Sequence, residues 1–205
     1  MKNKFEKDLT HIRSMMEQST RFVSLSGWSG ILAGIYSLIG AYLGYKLVHN
    51  ADRIIYYDIK AGVFSKGVTQ MILIAGGVLV MTLLTGVITT YYKAKRENKK
   101  MWTPAARKLL LNMAIPLVIG GVFVLWLLQN RILGLIAPTT LIFYGLSLIT
   151  ASFFTFGDVK YLGMLEVTLG LISLWFIGSG LFFWALGFGV LHIVYGLIMY
   201  LRYDK

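Results

Sequence analysis

Two side chains capable of proton or charge chemistry stand in surroundings that are otherwise apolar. Between Leu109 and Lys205 the charged residues are Arg131, Asp158, Lys160, Glu166, Arg202, Asp204 and Lys205. Of these only Glu166 falls well inside an apolar run, and His192 shares that situation in the next one. A charged side chain at mid-bilayer costs about 2.5–3.5 kcal/mol on insertion scales, so such a group is a functional candidate by default. A carboxyl beside an imidazole in low dielectric can relay or sense protons near neutral pH. The same two groups can equally be interhelical glue, worth about 0.6 kcal/mol for a typical membrane hydrogen bond.

The elements that must position them are long apolar segments. Of the 205 residues 57% are apolar and 14% charged, a balance that excludes a soluble domain of this size. Runs near 28–48, 67–91, 109–128, 132–154, 161–178 and 181–201 each suit a membrane-crossing helix. The fold class expected is an all-α membrane protein with six transmembrane helices, residues 25–205, preceded by an arm over residues 1–24. The first run begins near Trp28 with no small-residue cleavage pattern after it, so it is expected to remain as an anchor. With no cysteine, disulfides, thiolate metal sites and cysteine nucleophiles are excluded.

Glu166 and His192 lie equally far before and after Ser179, the middle of the turn between the fifth and sixth spans. In an antiparallel hairpin their backbones share one level, roughly 20 Å from the turn at 1.5 Å per residue. Glu166 shares a helix face with Gly163, Gly170 and Ser173, and His192 one with Ala185, Gly189, Gly196 and Met199. Side chains lean toward each helix's N-terminus, which stretches a direct pair and brings Tyr195, one turn nearer the cytoplasm, within reach of Glu166. The candidate polar pair is therefore Glu166 with His192 or Tyr195.

Lysine and arginine set the orientation. The chain holds 20 of them against 9 acids, for a net charge of +11. They concentrate in the N-terminal arm and in the segment after span two, which predicts both termini in the cytoplasm of a multi-pass inner (plasma) membrane protein. The densest cluster, Lys93, Lys95, Arg96, Lys99, Lys100, Arg107 and Lys108, reads as a basic loop facing anionic lipid headgroups. It is too short for a nucleic-acid-binding module, so no nucleic acid is expected. In the arm, Phe5, Leu9, Ile12, Met16 and Val23 form a narrow amphipathic stripe opposite Arg13, Glu17 and Arg21. That pattern suits packing on the bundle, on a protein partner or on a second copy of the chain.

Small residues recur where helices need to approach. Gly27, Gly30, Gly34, Ser37, Ala41 and Gly44 line span one; Gly76, Gly77 and Gly86 lie in span two, Gly163, Gly170 and Ser173 in span five, and Ala185, Gly189 and Gly196 in span six. Lipid supplies no hydrophobic drive for association, so Gly30, Gly34, Gly170, Gly189 and Gly196 are assigned to helix packing. Pro116 and Pro138, within spans three and four, are expected to remove backbone hydrogen bonds and bend their helices.

The chain also repeats itself. "LIFYGLSLI" (Leu141 to Ile149) overlays "HIVYGLIMY" (His192 to Tyr200), matching Tyr144-Gly145-Leu146 to Tyr195-Gly196-Leu197, and spans one and two form a looser third copy. Three helical hairpins repeated in one direction are expected. With the turn "FIGSGLFFWALGFG", these patterns resemble the HdeD-like group of small six-span bacterial membrane proteins. The whole chain is similar to a family of small integral membrane proteins common in Bacteroidota. The resemblance implies the architecture, and through the HdeD-like group an association with acid stress.

No nucleophile elbow, P-loop, zinc-helix motif or dinucleotide fingerprint is present, so no enzyme activity and no cofactor are expected. His49, Asp52 and Asp58 match no metal-ligand spacing, and no metal site is assigned. Ser147, Thr150 and Ser152 are few polar groups for a transport pathway. Two function classes stay open: an accessory or stress-associated membrane protein acting through interaction, and a proton-linked transporter or pH sensor using Glu166 and His192.

Overall fold

A computed structural model describes residues 22, 26–50, 66–98 and 100–203. Among them every regular element is helical: α1 (Gly27–Asn50), α2 (Lys66–Arg96), α3 (Pro104–Gln129), a single 3-10 turn (Leu133–Leu135) running into α4 (Ile136–Ala151), α5 (Val159–Ser173), and a sixth rod. That rod has three parts: α6 (Gly180–Trp184), a π-helical segment (Ala185–Leu191) and α7 (His192–Tyr203). Five segments are long and apolar enough to cross a bilayer, the sixth rod among them.

The exception is α5, expected over 161–178 and ending at Ser173. Leu174, Trp175 and Phe176 make successive three-residue turns onto Leu171, Ile172 and Ser173, and Gly178 takes φ +113°, a conformation that suits glycine. At 15 residues α5 is about 22 Å long, and its turn carries exposed Trp175, Phe176 and Ile177, side chains suited to the membrane–water interface.

The basic cluster is less of a loop than the sequence suggests. Lys93, Lys95 and Arg96 occupy the last turn of α2, where cations oppose the negative end of the helix dipole. Arg107 and Lys108 lie in the first turns of α3, which starts at Pro104 behind Thr103, whose hydroxyl accepts the Ala106 amide at 3.1 Å. Lys99 lies outside the described residues, as does the arm apart from Phe22 and the first long loop with Asp52 and Asp58.

Packing runs through glycine. In α1, methyls added at Gly27, Gly30 and Gly34 would meet the Tyr200 and Gly196 backbone, the Gly196 Cα and the Gly189 carbonyl of the sixth rod. Gly145 of α4 and Gly163 of α5 face each other's carbonyls, and Gly170 faces Ile142 and the Pro138 carbonyl. These contacts make two halves, α2–α1–sixth rod and α3–α4–α5, joined where the rod packs on α4 and α5. By contrast, a methyl added at Gly76, Gly77 or Gly86 would meet nothing within 4 Å, so these three glycines mediate no close helix approach among the described residues. Pro138 is the third residue of α4, where its missing amide leaves no intrahelical bond unmade. Pro116 lies inside α3.

One end of the bundle gathers several segments. The Phe22 amide donates to the Phe154 carbonyl at 2.7 Å, and the Thr155 hydroxyl donates to the Phe22 carbonyl at 2.7 Å. The Phe22 ring is buried with Ala105, Ala106, Leu109 and Ala151. Nearby the Arg202 Nη1 donates to Asp158 Oδ2 at 2.7 Å, the Tyr203 hydroxyl donates to the same oxygen at 3.0 Å, and Lys93 Nζ stands 5.8 Å over the Phe156 ring. We call this the basic end.

The glycine contacts predict a contrast. Gly163→Leu or Gly196→Leu should cost about 1–3 kcal/mol or more through overpacking, whereas Gly77→Ala should stay within about 0.5 kcal/mol of wild type. Thermal unfolding in detergent, followed by circular dichroism, measures both; equal losses at all three positions would contradict the packing described.

Candidate functional site

The buried face of α5 is Val159, Leu162, Gly163, Glu166, Gly170 and Ser173, a helical repeat turned toward α4 and the sixth rod. Glu166 occupies its middle and is 0% exposed. His192 begins α7 directly after the π segment and is 6% exposed. A π-helix is rare, and single π turns concentrate at functional sites.

The two residues meet. His192 Nδ1 lies 3.3 Å from Glu166 Oε1. The same nitrogen is 3.1 Å from the Gly187 carbonyl, which only accepts, so Nδ1 carries a hydrogen. That N–H is aimed at Gly187, and both Glu166 oxygens are left without a hydrogen-bond partner. Nε2 faces the Tyr144 hydroxyl at 2.8 Å. The result is a row from carboxyl to imidazole to phenol, spanning α5, α7 and α4.

Glycine and aromatic rings shape the enclosure. A methyl at Gly187 would lie 2.5 Å from both Glu166 Oε2 and Leu141 Cδ2, so a side chain there would displace the carboxyl or the leucine from its present place. Leu141 is fully buried. The Tyr144, Phe188 and His192 rings are mutual neighbours, with centroids 5.0, 5.4 and 5.9 Å apart, and hold the imidazole plane.

Of the sequence candidates, Glu166 and His192 are brought together, whereas Tyr195 is not brought to Glu166 by a hydrogen bond. Its hydroxyl is buried with no partner, while its ring packs on Leu148, Val159 and Leu162 toward the basic end. The stretching expected from side-chain direction does not separate the pair, which stands 3.3 Å apart, because both side chains are long enough to reach across a contact in which Gly187 has no side chain. Tyr144 and Gly187 escaped the reading of the sequence. Tyr144 was visible as the repeat partner of Tyr195, and its difference in role comes from which tyrosine faces the imidazole.

The pathway hydroxyls are engaged elsewhere. Ser147 donates to the Tyr144 carbonyl, Thr150 to those of Ser147 and Asn112, and Ser152 to that of Ile149. Ser173, seven residues beyond Glu166 on the same face, is buried with an unpartnered hydroxyl. Among the described residues no group of three or more His, Cys, Asp or Glu is placed to hold a metal.

The two tyrosines should behave oppositely. Tyr144→Phe strips the imidazole of a buried partner and should cost about 1–3 kcal/mol, whereas Tyr195→Phe removes a hydroxyl that bonds to nothing and should be neutral or stabilising. Thermal unfolding of the two variants checks this; a larger loss in Tyr195→Phe would contradict the geometry.

Comparison of the chain with protein-family models, with curated proteins and with solved structures finds no match, so the reading of this site rests on its own residues.

Proposed function

We propose that this chain is a small non-catalytic membrane protein of accessory or stress-associated type, acting through interaction. It crosses the inner membrane six times as three hairpins repeated in one direction, with both termini in the cytoplasm. The observation that carries this reading is the basic end. The last turn of α2 and the first turns of α3 present Lys93, Lys95, Arg96, Arg107 and Lys108 on the side where Phe22 and Arg202 are anchored. A cluster of that sign at a membrane surface attracts anionic headgroups by about 1 kcal/mol per charge. Phe22 is tied down beside it, and the N-terminal arm to which it belongs is assigned to a protein partner or a second copy. The closed packing around Glu166 supports interaction over transport, and the stress association follows from the HdeD-like resemblance.

A second reading is favoured by one observation, the absence of any hydrogen-bond donor to either Glu166 oxygen. Interhelical glue would be better served by a satisfied amide or hydroxyl. A carboxyl held beside an imidazole, with little else to stabilise its charge, is an arrangement for holding a proton. On this reading the protein responds to pH through Glu166 and His192.

The lipid claim is tested in nanodiscs. The wild type should melt at a higher temperature in anionic than in zwitterionic lipid. Replacement of Lys93, Lys95, Arg96, Lys99, Lys100, Arg107 and Lys108 by Gln should abolish the difference. A difference that survives the replacement would remove the basis of the proposal.

A further inference from the structure

The polar groups around Glu166 are not symmetric along the bundle. Toward the basic end, Tyr195 stands three residues from His192 on α7, about 4.5 Å along the axis. Its hydroxyl is buried and unpartnered, and its ring is wedged against the first turns of α5. Beyond it Asp158, at the start of α5, takes hydrogen bonds from Arg202 and Tyr203; the Asp158 side chain is 25% exposed and that of Arg202 62%, so this cluster reaches the protein surface. Asp158, Tyr203, Tyr195, Tyr144, His192 and Glu166 are thus the polar groups met in turn from that end inward, with the unpartnered Tyr195 hydroxyl between the two hydrogen-bonded sets.

Toward the opposite end the surroundings change. Leu141 and Gly187 close over the Glu166 carboxyl, fully buried Pro138 and buried Phe183 follow, and the unpartnered hydroxyl on that side of the α5 face belongs to Ser173, about 10 Å along the helix. Among the described residues, the other elements around the rod supply no competing charge at this level. On α1, Tyr36 is turned toward Thr85 of α2, α6 contributes apolar and aromatic side chains, and Lys160 is exposed at the start of α5.

From this asymmetry we propose that the Glu166–His192 pair is a one-sided proton well, which exchanges its proton with the compartment at the basic end through the Tyr195 hydroxyl and is closed toward the other side. Stripping the pair of its exchangeable proton would leave a lone carboxylate, and adding a further one a lone imidazolium, each costly in a buried interior. For exchange the Tyr195 hydroxyl, unpartnered in the resting structure, turns between the Tyr144 oxygen and the groups at the basic end, accepting one proton and releasing another, so no net charge stays in the bundle. Such a well samples the pH of one compartment and conducts nothing across the membrane. The inference deepens the pH-responsive reading above and rests on it.

The test uses the full-length chain in nanodiscs with its histidines labelled with nitrogen-15. The imidazole N–H of His192 is assigned by its loss in His192→Gln, and its exchange with deuterated water is timed by NMR. The comparison is between Tyr195→Phe and Ser173→Ala, each of which deletes one buried hydroxyl that bonds to nothing, on opposite sides of the pair. Tyr195→Phe should slow exchange by about a hundredfold, the low end of what a positioned proton-transferring side chain contributes, and Ser173→Ala should leave it unchanged. Slowing in Ser173→Ala, or wild-type exchange in Tyr195→Phe, overturns the route while leaving the proton-holding pair standing. An imidazole N–H that exchanges at once in the wild type overturns the pair as a proton-holding site, and the well with it.

Discussion

An unpaired charge in a dry helical bundle costs more than any single packing contact returns, and that constraint organises the middle of this protein. Glu166 sits fully buried with neither oxygen hydrogen-bonded, and the nearest group able to balance its charge is the His192 imidazole 3.3 Å away. The imidazole is itself fixed on both nitrogens, by Gly187 and Tyr144. A shift of the sixth rod against α5 would leave a carboxyl, an imidazole or a phenol without its neighbour. The pair therefore sets the register between two halves of the bundle that touch less extensively than the helices within each half.

The glycines make that register possible. Close approach of α1 to the sixth rod and of α4 to α5 provides the dispersion contacts that replace a hydrophobic drive in lipid. At the junction Gly187 performs a different task, leaving space for the Glu166 carboxyl. The π segment that contains it ends immediately before His192, so the irregular turn and the ionisable group belong to one feature. A side chain at Gly187 would disturb the polar contact, whereas side chains at Gly163 or Gly196 would separate helices.

Much of this was legible in the sequence. Apolar runs marked the helices, five of them long enough to cross a bilayer and the fifth in order shorter than its run, and the spacing of Glu166, Gly163, Gly170 and Ser173 placed the carboxyl on an inward face, where α5 carries it. The common level of Glu166 and His192 also followed from counting along a hairpin. What counting could not supply was rotation: a π segment holds more residues per turn than an α-helix, so the residue facing a given neighbour changes after it. Side-chain direction points to Tyr195, while Tyr144 holds the imidazole from another helix, a pairing with no local signature. The helical character of the basic cluster was missed for a similar reason, since charge marks the membrane boundary but helices α2 and α3 run on past it.

The central claim is that Glu166 and His192, 3.3 Å apart across the junction of the two halves, depend on each other. A double-mutant cycle in thermal or denaturant unfolding, with Glu166→Met, His192→Phe and the combination, measures this coupling directly. Replacing a whole buried pair by apolar groups of similar volume is often tolerated, while removing one member is not. The coupling energy should therefore be at least about 1 kcal/mol, within the range found for residues in contact, with the double variant more stable than the sum of the single losses predicts. Additive losses would show that the two groups stand side by side without depending on each other, and would contradict the account.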